Sequence, residues 1–180
     1  MKEKRVIMDE KAMQRAIARI SYEILERNKG AENLCVVGIF SRGAVLGQRI
    51  ADKLSELEKI TVPCGAIDIT PYRDDIVVKD HIEKTDLPFE VKNKKVIIVD
   101  DVIYTGRSSR AAIDALIKRG RPQLIQLAVL VDRGHRELPI RPDYVGKNLP
   151  TARNEIVKVF VSELDEIDSA AIFNTEKEVL

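Results

Sequence analysis

The sequence predicts an α/β fold in which helices flank a central parallel sheet. Apolar runs at 34–39 (LCVVGI) and 95–101 (KVIIVDD) have the length and continuity of strands that are buried on both faces. Amphipathic helical patterns at 10–28 and 44–59 alternate with these runs, which is typical of right-handed βαβ units. A chain of 180 residues fits one domain, 1–180, with a sizeable core.

The predicted helices and strands follow one another with few interruptions. Asp9 precedes the first helix and has a side chain suited to its N-cap. In chain order we expect a helix at 10–28, a strand at 34–39, a turn at 41–43, a helix at 44–59, a strand at 62–70, a strand at 95–101, a helix at 108–120, a strand at 123–132 and a strand at 155–161.

Two connections are unusually long and polar. Residues 71–94 contain two prolines and a dense run of charges, which indicates either a functional flap or a disordered tip. Residues 133–155 form a second, basic and proline-containing connection.

Composition excludes some classes of protein. The formal net charge is +1, so composition alone does not indicate a nucleic-acid-binding protein, and a basic surface must come from local clustering. Two cysteines imply no disulfide framework, which suits a reducing compartment. The N-terminal residues lack the apolar region of a signal peptide, and no apolar run approaches membrane-spanning length. We therefore expect a cytoplasmic protein with no membrane partner.

Polar residues follow several of the predicted strands. In a parallel sheet, ligands bind outside the carboxyl ends of the strands. This rule places Ser41-Arg42-Gly43, the 71–90 segment, Asp100-Asp101 and Asp132-Arg133 along one edge of the sheet. Four distant segments are thus predicted to converge on one crevice.

The segment after Asp101 has the features of a phosphate-binding loop. Its small and hydroxyl residues lead into a helix, whose first N–H groups are free to bind an anion. Gly106 permits close approach of the ligand. The candidate binding residues of this segment are Val102, Tyr104, Thr105, Gly106, Arg107, Ser108 and Ser109.

Asp100 and Asp101 require a different ligand, because carboxylates repel phosphate. They suit ribose hydroxyls or a Mg²⁺ ion held through water. Each fragment alone is commonplace, since an Asp pair can be a solvated strand end and a Thr-Gly turn has no fixed meaning. Together they describe a site for a ribose 5-phosphate.

The joined stretch at 96–108 resembles the 13-residue phosphoribosyl-pyrophosphate motif of type I phosphoribosyltransferases. The similarity extends to ERNKG (26–30), DITPYRDD (68–75), RGHRELPIR (133–141) and DYVGKN (143–148). These stretches resemble the pyrimidine operon attenuation proteins that are also uracil phosphoribosyltransferases. The resemblance implies a type I phosphoribosyltransferase fold with a small hood and a flexible flap.

The resemblance also implies a reaction and a set of roles. Uracil and phosphoribosyl pyrophosphate would give UMP and pyrophosphate with Mg²⁺ as cofactor. Asp100, Asp101 and Arg42 would be catalytic, with the two aspartates also in the metal shell. The other implied roles are pyrophosphate binding by Ser41 and Arg42, 5-phosphate binding by the loop, a base region at Asp132 and Arg133, and a flap with Tyr72, Arg73, Asp74 and Lys79.

A second function, RNA binding, is implied in the same way. In the family the protein binds pyrimidine operon leader mRNA, responds to UMP or UTP, and forms a homo-oligomer, a dimer or larger, with no role for DNA. The candidate RNA-binding residues are Arg15, Arg19, Tyr22, Arg27, His135, Arg136, Arg141 and Lys147. We expect Gln at Arg19, Arg136 or Arg141 to weaken RNA binding and to leave UMP synthesis nearly intact.

Some positions depart from the family pattern and leave alternatives open. Ala18, Tyr22 and Phe40 stand where Bacillus-like members have threonine, histidine and a cation, and the flap is several residues shorter. One alternative is therefore a uracil phosphoribosyltransferase that has lost RNA regulation. A purine-specific phosphoribosyltransferase fits less well, because the 133–148 segment matches the pyrimidine protein.

Overall fold

The structure, a computed structural model, describes residues 2–76 and 80–175. Among these residues the elements, in chain order, are β1 (Lys2–Met8), α1 (Glu10–Asn28), β2 (Leu34–Ile39), α2 (Arg42–Glu58), β3 (Cys64–Ile67), β4 (Lys95–Ile103), α3 (Arg107–Arg119), β5 (Leu124–Asp132), β6 (Tyr144–Asn148), β7 (Glu155–Phe160), α4 (Ser162–Asp165) and β8 (Ser169–Asn174). A single 3₁₀ turn, Thr70–Tyr72, follows β3.

The central sheet has five parallel strands in the order β3-β2-β4-β5-β6. Its middle strand, β4, is buried on both faces, as its continuous apolar pattern predicts. Ile97 and Val99 join the core under α1 and α2, whereas Val96 and Ile98 join the core under α3. The α/β prediction with flanking helices is confirmed, and the carboxyl ends of the strands share one edge.

Helix α1 begins as its sequence predicts. The Asp9 carboxylate accepts a hydrogen bond from the Ala12 N–H at 2.7 Å, which satisfies one of the free donors of the first turn. Met13, Ile20 and Ile24 are fully buried against the sheet. None of the helices in the described part of the chain is both long enough and apolar enough to span a membrane.

The strand predicted at 155–161 is confirmed as β7 (Glu155–Phe160), but it does not belong to the parallel sheet. That segment, β7, lies in a separate antiparallel sheet of order β1-β8-β7. Alternate residues of β7 are buried, which is the pattern of a strand with one covered face. The fifth parallel strand is β6, inside the connection predicted at 133–155. Its short sequence, YVGKN, ends in exposed polar residues, as expected of an edge strand.

Candidate active site

A cavity of about 380 Å³ lies at the carboxyl end of β4. It brings the end of β4, the following loop and the first turn of α3 together with the segment after β3. The lining residues are Arg73, Asp75, Asp100, Val102, Ile103, Tyr104, Thr105, Gly106, Arg107, Ser108, Ser109 and Glu137. Most of the residues proposed for phosphate binding therefore surround a single space.

The loop between β4 and α3 has the geometry of an anion cradle. Gly106 has φ +92°, a conformation that non-glycine residues rarely adopt, and it directly precedes α3. The Thr105 hydroxyl accepts a hydrogen bond from the Arg107 N–H at 3.3 Å, which tightens the turn. The N–H groups of the first turn of a helix have no partners within the helix, and its dipole adds positive potential. A phosphate fits this position.

The carboxylates of Asp100 and Asp101 are held by the backbone. An oxygen of Asp100 accepts from the Asp101 N–H at 2.9 Å, and an oxygen of Asp101 accepts from the Val102 N–H at 2.7 Å. Burial, followed by the charge of Asp101, raises the pKa of Asp100 well above its usual value. Burial also raises the pKa of Asp101. Ionisation of the pair is therefore unfavourable by itself, and a cation or a set of hydroxyl donors would stabilise the ionised form.

Asp100 and Asp101 could supply some of the ligands of a Mg²⁺ ion. Carboxylate oxygens are its preferred protein ligands, and Mg²⁺ usually keeps several waters and substrate oxygens. Among residues 2–76 and 80–175 no group of three or more His, Cys, Asp or Glu side chains could hold a metal by itself. A bound Mg²⁺ would consequently depend on the diphosphate of a substrate for its remaining ligands.

We expect Asp100→Asn to raise the thermal stability of the protein in buffer without Mg²⁺. Because the folded pKa of Asp100 lies above the unfolded one, the stability that this group contributes is complete below the unfolded pKa and is lost as pH rises through the folded pKa. The amide keeps the shape without the buried charge. At pH 8 the melting temperature should therefore rise, and each kcal/mol of stability gained corresponds to about 2–4 °C in a domain of this size.

Scanning calorimetry from pH 8 to pH 4 would check this expectation. The difference between Asp100→Asn and the unmodified protein should shrink as the pH falls toward the ordinary value of 3.8. Asp52→Asn, on the exposed side of α2, is a matched control. A variant that is less stable than the unmodified protein at pH 8 would contradict the assignment of a raised pKa.

Arg42 lies at the start of α2, with Ser41 as the N-cap residue. The helix therefore begins two residues earlier than predicted. A Cβ on Gly43 would lie 2.6 Å from the Val99 carbonyl oxygen, so the first turn of α2 packs directly on the end of β4. The charge of Arg42 lowers the pKa of Asp101, in opposition to burial. Arg42 is thus beside the carboxylates.

The guanidinium of Arg42 is bound to Asp165 of α4. Its Nη2 and Nε donate to the two carboxylate oxygens at 2.6 and 3.1 Å, a bidentate pair. The family resemblance implied that Arg42 binds pyrophosphate. To bind a pyrophosphate, Arg42 would exchange Asp165 for phosphate oxygens.

The root of the predicted flap is joined to α3. Arg107 pairs with Asp74 at 2.6 Å, and Arg110 donates to the Tyr72 carbonyl oxygen at 2.8 Å. Arg73 pairs with Asp75, and the charge of Arg73 lowers the pKa of Asp100, in opposition to burial. Lys79 lies outside the described residues. Tyr72, Arg73 and Asp74 are therefore held next to the cavity.

Asp68, which sequence analysis did not single out, organises the same region. It is 4% exposed and accepts hydrogen bonds from the N–H groups of Thr70 and Lys84, while His81 lies 2.7 Å from its carboxylate. Burial opposes ionisation, but these hydrogen bonds dominate and lower the pKa of Asp68 to about 2. The available signal was its position just after an apolar strand, the position that Asp100 and Asp132 share.

The proposed base region forms a second cavity of about 380 Å³ beside the first. Asp132, Arg133 and His135 line it together with residues 148–151. Arg133 is only 6% exposed, and its guanidinium lies 4.0 Å from the centre of the Tyr104 ring. His135 bonds the Thr151 carbonyl oxygen at 2.6 Å. Arg133 thus connects the base region with the loop of the first cavity.

Seven of the eight candidate RNA-binding residues fall into two groups. Arg19 donates to the carbonyl oxygens of Val145 and Gly146 at 3.2 and 2.6 Å, and Arg27 pairs with Asp143 at 2.8 Å. These contacts join α1 to β6 and give one exposed surface, defined here as the α1–β6 surface: Arg15, Arg19, Tyr22, Arg27 and Lys147. Arg141 is also exposed. His135 and Arg136 instead contact the walls of the two cavities.

Comparison with known proteins agrees with this geometry. The phosphoribosyl transferase domain matches residues 6–166. The chain belongs to this family. It is 56% identical to the bifunctional protein PyrR of Deinococcus radiodurans over 176 residues, which are 96% of both chains. It is 58% identical to that of Brevibacillus brevis, over 94% of this chain and 96% of the relative.

Solved structures of other phosphoribosyltransferases share the fold. A hypoxanthine phosphoribosyltransferase from Staphylococcus aureus superposes with a TM-score of 0.72 at 21% identity, covering 99% of this chain and 96% of that one. The hypoxanthine phosphoribosyltransferase from Trypanosoma cruzi superposes with a TM-score of 0.74 at 18% identity, covering 97% of this chain and 98% of that one. At such identities the likeness establishes the type I phosphoribosyltransferase fold and not the base that is used.

Proposed function

We propose that this phosphoribosyltransferase converts uracil and phosphoribosyl pyrophosphate to UMP and pyrophosphate, with Mg²⁺, in the cytoplasm. The observation that carries the proposal is the single cavity that Asp100 lines together with the amide-rich loop 105–109, with Asp101 next to Asp100 in β4. These are the two halves of a site for a ribose 5-phosphate. The pyrimidine base is supported by the 53–58% identity to bifunctional PyrR proteins.

The chemistry requires positioning and charge stabilisation more than a nucleophile. As the bond to the anomeric carbon breaks, positive charge grows on the sugar and negative charge on the departing pyrophosphate. Asp100 and Asp101 would bind the ribose hydroxyls and favour the positive charge. Arg42 and Arg73 would face the negative charge, and the loop would anchor the 5-phosphate so that the reacting atoms stay aligned. Mg²⁺, when bound, would neutralise the diphosphate.

The direct test is a base panel with the purified protein, Mg²⁺ and phosphoribosyl pyrophosphate. We expect UMP and pyrophosphate to form with uracil, and no nucleotide with hypoxanthine or guanine. Removal of Mg²⁺ with a chelator should abolish the reaction, because the diphosphate charge is then not neutralised. Activity with a purine base but not with uracil would contradict the assignment of the base.

A second function, RNA binding under nucleotide control, is favoured by the α1–β6 surface. It concentrates cationic side chains from two distant segments in a chain whose net charge is only +1. Tyr22 is 57% exposed on it and offers a ring on which an unstacked base could lie. We propose that this surface binds the pyrimidine operon leader mRNA, that UMP or UTP in the cavity strengthens the binding, and that the protein acts as a homo-oligomer.

A further inference from the structure

The segment that follows β5 folds behind the loop of the first cavity, and Arg136 is at its centre. The Arg136 guanidinium donates to the Asp132 carboxylate at 2.5 Å, to the Tyr104 carbonyl oxygen at 2.9 Å and to the Ile140 carbonyl oxygen at 2.9 Å. Its side chain is only 19% exposed. These contacts use donors that an RNA-binding arginine would need for phosphates, so the structure separates Arg136 from the α1–β6 surface.

The backbone of the residues after Arg136 also contacts the phosphate-binding loop. The Thr105 carbonyl oxygen accepts from the N–H groups of Glu137 and Leu138 at 3.0 and 3.1 Å. A Cβ on Gly106 would lie 3.5 Å from Ile140 and 3.6 Å from Leu138, so the turn also packs against the glycine. Residues 136–140 thus form the back wall of the phosphate-binding loop.

This wall determines where the amides of the loop point. Across a trans peptide, the C=O of one residue and the N–H of the next are directed to opposite sides. Fixing the Tyr104 and Thr105 carbonyls against residues 136–138 therefore turns the N–H groups of Thr105 and Gly106 away from that wall. An anion cradle depends on this orientation, because the carbonyl oxygens would otherwise repel the phosphate.

We propose that Arg136 is a positioning residue of the phosphoribosyl site. Through Asp132 it is fixed to the end of β5, in the base region, and through the Tyr104 carbonyl it holds the phosphate-binding loop. It thereby sets the distance between the two cavities without contacting the reacting atoms. The inference deepens the proposed function and rests on it. It also reverses the sequence-based expectation that Gln at Arg136 would leave UMP synthesis nearly intact.

The test compares steady-state kinetics of UMP synthesis for Arg136→Gln, Arg136→Lys and the control Arg121→Gln, an exposed arginine between α3 and β5. Arg136→Gln should raise the KM for phosphoribosyl pyrophosphate at least about tenfold, the scale of one lost charge-assisted hydrogen bond. Arg136→Lys keeps the positive charge but loses the planar set of N–H donors of the guanidinium. Its KM should therefore lie between those of Arg136→Gln and the unmodified protein. Arg121→Gln should match the unmodified protein.

The changes in kcat and KM distinguish a positioning role of Arg136 from partial unfolding. Partial unfolding would lower kcat by reducing the active fraction and would leave KM unchanged, and a KM within about twofold of the unmodified value would overturn the proposal. If Arg136→Gln does not fold, Arg136→Lys decides by the same criterion. An inactive unmodified protein would instead overturn the proposed function. A loss of leader RNA binding with unchanged kinetics would return Arg136 to the RNA-binding residues.

Discussion

Replacing both Asp100 and Asp101 with Asn is expected to lower kcat for UMP synthesis by about two orders of magnitude or more. The amides keep the shape of the carboxylates, so the variant removes charge and little else. Both side chains lie at the end of β4, where backbone N–H groups hold their oxygens in place. The charge they lose is the charge that would stabilise the oxocarbenium-like sugar and share a Mg²⁺ ion with the diphosphate.

The same substitution separates activity from stability. Burial raises the pKa of both aspartates, so ionised carboxylates at this position destabilise the fold and their removal should raise the melting temperature at neutral pH. A more stable but inactive protein is a result that misfolding cannot produce. Asp52→Asn on α2 is the matched control for activity. Turnover equal to that of the unmodified protein in a folded double variant would refute the roles of both residues.

RNA affinity is expected to fall steeply with salt and with loss of charge on the α1–β6 surface. If about five phosphates are neutralised on a single-stranded leader, raising the salt from 50 to 200 mM should weaken binding about a hundredfold, with a slope of about −0.7 per contact. Arg15→Gln and Lys147→Gln should each reduce that slope by about 0.7 and leave UMP synthesis unchanged, because both residues are exposed on the α1–β6 surface and neither lines one of the two cavities.

A filter-binding titration across salt concentrations measures this effect, with Arg121→Gln as the control. Binding that does not depend on salt would show that the contacts are not made to phosphates. Binding that is equally weakened by the control would show that general charge, rather than the α1–β6 surface, attracts RNA.

Much of the candidate active site could be predicted because its residues are contiguous in the sequence. Asp100 and Asp101 lie near the carboxyl end of one buried strand and the loop 105–109 follows it, so all of them share one edge of the sheet. The positions of Arg42 and Asp132 followed from the same rule applied to other strands. The local sequence pattern was sufficient to predict a site residue wherever that residue lies in, or directly after, a strand that the same pattern predicts.

Long-range partners were not predictable in this way. Arg42 finds Asp165 across 123 residues of sequence, and Arg136 finds Tyr104 across 32. Nothing in the pattern RGHRELPIR distinguishes an arginine that faces solvent from one that braces a loop. The strands β1 and β8 were missed because each is stabilised by pairing with the other from opposite ends of the chain, and not by its own pattern.

We propose that a nucleotide in the first cavity controls RNA binding at the separate α1–β6 surface. A gel-shift titration of the protein against a pyrimidine operon leader RNA, with and without saturating UMP, tests it directly. We expect tighter binding with UMP and, by reciprocity, the same factor of increase in UMP affinity when RNA is bound. Equal binding with and without UMP, or no binding to the leader at all, would contradict the account and leave the chain as an enzyme alone.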